Sequence, residues 1–308
     1  QFFGAMENWG AILYFERTVL LDPKLQTETL KQNVFNTVAH EMAHQWFGDL
    51  VTMSWWDDLW LNEGYASWMA SKAADDINPE WKALTQSLAN ARQGAFSLDS
   101  RVTTHPIIQR ITTVEQISQA FDNITYRKGE AVIRMLEASV GADAFRDGVR
   151  RYMAKHAYGN TVTDQLWAEV AAASGKPVEK MMHSFTLQGG VPLIKAGAPK
   201  CVGGKTVLPL SQGRFALDAG SRKAQAWIVP VRLSQGGATT TVTVSGAMPV
   251  TASIDGCGPV VVNAGQSAYF RTQYTPAHLA ALTKAYPTLS LDDQVGIAAD
   301  SYALAAGG

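Results

Sequence analysis

The sequence predicts an α+β chain of more than one domain: a mainly helical first part, a small all-β part, and the start of a second helical part. Two observations carry this. The texture of the chain changes near residue 190 and again near residue 274. The 308 residues, 46% of them hydrophobic, also suffice for about two cores at ~100–200 residues per domain. The expected division is 1–190, 191–273 and 274–308.

In the first part, apolar residues recur at helical spacing over 27–47, 62–75, 126–140, 143–155 and 163–173. Gly48, Gly141 and Gly175 follow three of these segments, as helix-ending glycines do. After "LQGGVPLI" the chain breaks into short alternating runs, among them "AWIVPVRLS", "TTTVTVSG" and "PVVVNAG", separated by Gly, Pro and Ser. That pattern predicts an antiparallel sandwich or barrel of roughly eighty residues. Helical spacing returns in "PAHLAALTKAY" and "LDDQVGIAADSYALAAGG". Two helices cannot bury both their faces alone, so they read as the start of a further domain.

With 26 basic against 27 acidic side chains, nothing points to nucleic acid or an anionic membrane as partner. No apolar run reaches the roughly 18 residues needed to cross a bilayer. The opening "QFFGAMENWG" has neither a basic segment nor a cleavage site, so it does not read as a signal peptide. Cys201 and Cys257 are too few for a zinc ribbon or a CxxC motif. They are either one disulfide, which would favour an exported protein, or two buried thiols. The compartment, cytoplasmic or exported, is open.

The chemistry concentrates in "HEMAHQWFGDLVTMSWWDDLWLNEG", from His40 to Gly64. On the first helix Val34, Val38, Met42 and Trp46 form a stripe four residues apart, which predicts a core-facing side. His40 and His44, also four apart, project from roughly the opposite face and can bite one ion, with Glu41 offset beside it. A catalytic zinc wants three protein ligands and an open position. Glu63, after eighteen intervening residues at the start of the next helix, is the expected third ligand. Glu41 is then the base that takes a proton from the water the metal acidifies. His105, His156, His183 and His278 lack partners at ligand spacing and read as structural or solvent-facing.

These residues alone reach a zinc-dependent hydrolase, with peptides the expected substrates. The stretch "HEMAHQWFGDLVTMSWWDDLWLNEGYASW", with "GAMENWG" upstream, resembles the gluzincin aminopeptidases, the family of aminopeptidase N and leukotriene hydrolase. The resemblance is dense over 4–69 and continues through "ITYRKGEAVIRMLE", "LQGGVPLI" and the closing helix. It implies a thermolysin-like catalytic domain, a small β-sandwich and the first helices of a C-terminal helical domain, with one zinc ion per chain. It implies that Glu7 anchors the free α-amine of a peptide, and that Gly4, Ala5, Met6 and Asn8 of the same motif line the substrate strand. By the same resemblance Tyr126 donates a hydrogen bond to the oxyanion. On its own, "GAMENWG" is a polar turn after a strand, and Tyr126 is an ordinary helix-start tyrosine.

Two departures stand out. Relatives often carry an acidic residue where Ala70 stands, so support for a zinc-bound histidine is unassigned, and neither Asp57 nor Asp58 can take that role from sequence. Phe3 falls where relatives shape the pocket for the first side chain. The expected activity is release of N-terminal residues from peptides with a free amine. The alternatives are a thermolysin-like endopeptidase, which would not need "GAMEN", a non-catalytic scaffold of the same fold, and an epoxide hydrolase. The chain starts three residues before "GAMEN" and stops after two C-terminal helices. By the resemblance it is therefore a fragment without its N-terminal domain, expected to bind zinc but to be a poor aminopeptidase by itself.

Overall fold

The computed structural model describes residues 4–307; Phe3, and the pocket role expected of it, lie outside the described residues. The chain opens with a hairpin of two short strands, β1 (Ala5–Met6) and β2 (Leu13–Tyr14), followed by α1 (Glu16–Val19) and α2 (Glu28–His44). Then come β3 (Val51–Met53), α3 (Trp60–Ile77), α4 (Ala83–Ala89), α5 (Ala91–Asp99) and α6 (Val114–Ala120). A π-helical turn, Ile124–Lys128, leads into α7 (Gly129–Val140) and α8 (Ala142–His156). The helical part closes with β4 (Gly159–Thr161), which pairs parallel to β3, then α9 (Thr163–Ser174) and α10 (Glu179–Thr186).

Local signals account for these boundaries. Thr27 caps α2 through its hydroxyl, which accepts from the Leu30 amide at 3.2 Å. Gly141 and Gly175 end α7 and α9 in positive-φ conformations that only glycine adopts without strain. Gly48 lies four residues past the end of α2, beyond a turn.

Strands follow from Val191: β5 (Val191–Ala196), β6 (Lys200–Val202), β7 (Lys205–Phe215), β8 (Ile228–Gln235), β9 (Ala238–Ser245), β10 (Val250–Asp255), β11 (Val261–Val262) and β12 (Arg271–Tyr274). One sheet runs β10-β7-β5-β12 with β6 also on β7; the other runs β11-β8-β9. Pairing is antiparallel except between β5 and β12, which are parallel. Alternation alone predicted antiparallel strands throughout, and the exception arises because the chain reaches β12 only after crossing from the other sheet. Inward side chains such as Ile194, Leu208, Leu210, Val231 and Leu233 are fully buried in one core with the helices. Cys201 and Cys257 are joined in a disulfide between β6 and the turn after β10. Two helices, α11 (Pro276–Ala285) and α12 (Leu291–Gly307), complete the chain.

The apolar stripe on α2 is a correction. Val34 and Val38 are only half-buried, and Met42 and Trp46 are each 53% exposed. The helix instead buries the face of Glu41, Ala43 and His44, because that face packs on α3. The polar groups of the site, rather than the apolar stripe, decide which side turns inward.

A second close contact sets the site's geometry. Where α3 crosses the start of α7, a Cβ on Gly64 would stand 3.2 Å from the Gly129 Cα. Backbone thus meets backbone one residue after Glu63 and three after Tyr126. Gly64→Ala is expected to destabilise the fold by about 1–3 kcal/mol through overpacking. Urea denaturation checks this, and an unchanged midpoint would mean that the helices part freely.

Candidate active site

The cleft between α2, α3, the β1–β2 hairpin and the π-turn has a volume of about 760 Å³. At its floor the structure brings His40, His44 and Glu63 together. His40 Nε2 lies 3.1 Å from His44 Nε2 and 3.1 Å from Glu63 Oε2, and His44 Nε2 lies 3.4 Å from the same oxygen. Ligands on a tetrahedral zinc, bound at ~2.0–2.2 Å, stand about 3.3 Å apart, so the three atoms already have that spacing. A carbonyl oxygen can only accept, so the 2.9 Å contact from His44 Nδ1 to the Phe47 carbonyl puts the proton on Nδ1. That leaves the Nε2 lone pair facing a carboxylate. Facing groups held this close need a proton or a metal cation between them, and a donor set of two imidazoles and one carboxylate fits zinc.

Gly48 makes room for the arrangement. A Cβ there would meet Asn62 Nδ2 at 3.2 Å and His44 Nδ1 at 3.3 Å. Electrostatics agree with the geometry. Burial disfavours a charge on His44, but the hydrogen bond and charge of Glu63 outweigh it and lift its pKa to about 9. Burial would likewise raise Glu63, yet its hydrogen bonds from His40 and His44 and their charges bring it down to about 2. The field that draws a proton onto this site would draw a divalent cation more strongly.

Glu41 is buried beside this set. Its pKa is pushed up to about 7, by burial first, with His44 opposing and Glu7 and Glu63 adding to the rise. A carboxylate poised there can take and return a proton near neutrality. The Tyr126 phenol is held far above its ordinary value by burial, then by the charge of and hydrogen bond to Glu63, with Glu7 and Glu41 contributing. It therefore stays a neutral O–H donor, its ring stacked on that of His40 with centroids 6.0 Å apart.

Gly4, Ala5, Met6 and Glu7 line the same cleft, whereas Asn8 turns to the surface. A ligand atom from each of Glu7, Glu41 and His44 lies within 4.8 Å of the others. That is a second possible metal group, but it offers one imidazole where the first offers two, and burial, Glu7 and Glu63 push the Glu41 carboxyl up toward its neutral form. Sequence reading gave no role to Gln45. Its Nε2 donates to the Glu7 carbonyl and to Asp49 Oδ2, both at 2.9 Å, clamping the hairpin onto the end of α2.

Asp57 and Asp58 hold structure rather than the metal group. Asp57 Oδ1 accepts from the Ile111 amide at 2.7 Å, and Asp58 Oδ1 from the Thr163 amide at 3.2 Å and hydroxyl at 2.5 Å. Ala70 lines the cleft and offers no acid. None of His105, His156, His183 and His278 lines it.

His105 still matters, through Tyr126. Asp122 Oδ1 accepts from the amides of Ile124 and Thr125 at 2.9 and 3.1 Å, anchoring the π-turn that carries Tyr126. His105 Nε2 meets Asp122 Oδ2 at 2.7 Å and its Nδ1 meets the Pro106 carbonyl at 2.7 Å. Both partners accept, so the ring carries both protons. Burial opposes that charge, but the Asp122 hydrogen bond and the Pro106 carbonyl raise the pKa overall. Because the folded value is raised, this contribution is full below the unfolded value of ~6.5 and is lost as pH rises through the folded one. The Tm advantage over His105→Gln is therefore expected to be largest between about pH 5 and 6.5 and to shrink above. Thermal melts across pH check this; an advantage that grows with pH would contradict it.

Comparison with known proteins gives a consistent answer. Residues 1–185 match the peptidase family M1 domain. The chain is 41% identical to aminopeptidase M1 of Arabidopsis thaliana, over 98% of this chain and 36% of that protein. It is 37% identical to tricorn protease-interacting factor F2 of Thermoplasma acidophilum, over 97% of this chain and 37% of that one. Mitochondrial aminopeptidase 2 of Saccharomyces cerevisiae is 38% identical over 99% of this chain and 32% of its own length. The chain thus spans about a third of these relatives.

Proposed function

The chain belongs to peptidase family M1, and from that premise we propose that it is the catalytic portion of a zinc aminopeptidase releasing N-terminal residues from peptides. The observation that carries this is the placement of the Glu7 carboxylate beside Glu41 and His44 in the cleft. A carboxylate there pairs with the ammonium of a free N-terminus, so the first peptide bond is the one that reaches the floor of the cleft.

His40, His44 and Glu63 would hold the zinc, which when bound supplies a Lewis acid that polarises the scissile carbonyl and acidifies a water. Glu41 takes the proton of the attacking water on its carboxylate and passes it to the departing amine nitrogen. Tyr126 donates its O–H to the oxygen that becomes negative at the tetrahedral carbon, a bond that strengthens as charge develops. Glu7 holds the amine, and β1, with the small Gly4 and Ala5, leaves room for substrate backbone alongside. We read 1–190 as a thermolysin-like catalytic domain, 191–273 as a β-sandwich, and 274–308 as the first helices of a helical domain. Among the described residues no helix is long and apolar enough to cross a membrane.

The experiment is kinetic. Acetylating the substrate amine is expected to abolish cleavage, and Glu7→Ala to raise KM most for substrates with a free amine. Rapid hydrolysis of acetylated peptides at internal bonds would favour the thermolysin-like endopeptidase instead.

A further inference from the structure

The cleft continues well past the metal group. Gln45, which holds the Glu7 end, lies just past the C-terminal end of α2, while Asn33, Asn36 and Thr37, which precede His40 on that helix, line the cleft in the opposite direction. At ~1.5 Å per helical residue the cleft runs about 10 Å beyond His40 in that direction, enough for about three extended residues. With the amine at Glu7, the part of the peptide beyond the scissile bond lies there. Among the described residues lining the cleft, Arg127 is the single lysine or arginine.

Arg127 belongs to the far end. Its Nη1 lies 3.4 Å from Glu130 Oε2, and Glu130 Oε1 accepts from the hydroxyls of Ser71 and Ser87 at 2.8 Å each. Ser71 sits eight residues past Glu63 on α3, ~12 Å along the helix. The guanidinium is therefore propped on one edge by a carboxylate that two serines hold in place. Its remaining N–H groups have no partner among the described residues, and the side chain is 41% exposed. The Glu7 carboxylate marks the other end, so the two ends of the cleft carry side chains of opposite sign.

We propose that Arg127, reaching back from the far end of the cleft, makes it selective for peptides that carry a carboxylate on the leaving side of the scissile bond. That carboxylate is supplied by an acidic second residue or by the C-terminus of a dipeptide. The proposal rests on the aminopeptidase reading for the direction in which the peptide lies. An arginine presents paired N–H groups that match a carboxylate's two oxygens, and the long, single contact to Glu130 leaves that edge available.

Binding measured by calorimetry in the Glu41→Gln background tests this without consuming the probe. Ala-Glu-amide is expected to bind about fivefold tighter than Ala-Gln-amide, the scale of a partly exposed charge pair. The ratio should fall to about one in Arg127→Gln and invert in Arg127→Glu. Removing the competing carboxylate with Glu130→Gln should increase it. Ala-Ala against Ala-Ala-amide reports whether a dipeptide C-terminus is read in the same way. Equal affinities in the Arg127-intact chain, a preference unchanged in Arg127→Gln, or no binding of either peptide would each overturn the proposal. Arginine-dependent preference without chelator-sensitive release of N-terminal residues by the Glu41-intact chain would instead overturn the aminopeptidase reading, and with it the placement of the carboxylate relative to a scissile bond, while the carboxylate contact of Arg127 would remain.

Discussion

Glu41→Gln is expected to bind zinc as the unaltered chain does and to lose about 10²–10⁴ in kcat, the usual worth of a positioned proton acceptor. The substitution keeps the shape and hydrogen-bonding reach of the side chain and removes only its capacity to hold a proton. His44→Ala and Glu63→Ala should behave differently, because each removes one of three atoms spaced 3.1–3.4 Å apart around a common centre. Their zinc content should fall well below one per chain. Metal analysis of the three purified variants separates the two roles. A metal-free Glu41→Gln would mean that Glu41 is a ligand and that the division between the two glutamates is wrong.

Tyr126→Phe is expected to lower kcat by roughly 10²–10³ with little change in KM, the usual loss for one oxyanion donor. The phenol is buried among three carboxylates that keep it protonated, so its hydrogen is available throughout the neutral range. The ring remains in the Phe variant and can still stack on His40, which confines the change to the lost hydrogen bond. An effect limited to KM would make Tyr126 a wall of the cleft and nothing more.

Much of the metal group could be read from sequence because it is local. His40 and His44 are one helical turn apart, and any helix through them puts both rings on one side. Glu63 needed a second helix to pack on the first, and "WLNEGYASW" reads as the start of that helix. Contacts between distant segments were harder to see. The clamp from Gln45 to Glu7 joins residues 38 apart and exists only because the hairpin docks on the end of α2. The crossing of Gly64 on Gly129 joins two glycines that look like ordinary interruptions of helical periodicity. His105 has no sequence partner at all; Asp122 becomes one only when the π-turn forms.

The stripe on α2 shows a different limit. Periodicity finds the apolar side of a helix, but it does not decide which side is buried when the opposite side carries charged groups that need one another. On α2 the polar face is the inner one, and Met42 and Trp46 face outward. The mixed helix and strand content followed from texture, and the change of texture near residue 190 falls close to Val191, where β5 opens the run of strands. The parallel pairing of β5 with β12 did not follow, since a strand's partner is chosen by the path of the chain.

The central claim is that one ion sits among His40, His44 and Glu63, with Glu41 left free to act on water. Anomalous X-ray scattering at the zinc edge, from crystals of the chain grown with zinc, tests it most directly. The account predicts one strong peak about 2.0–2.2 Å from His40 Nε2, His44 Nε2 and a Glu63 carboxylate oxygen, with Glu41 outside bonding distance. A peak instead among Glu7, Glu41 and His44, the other group whose ligand atoms converge here, would contradict it.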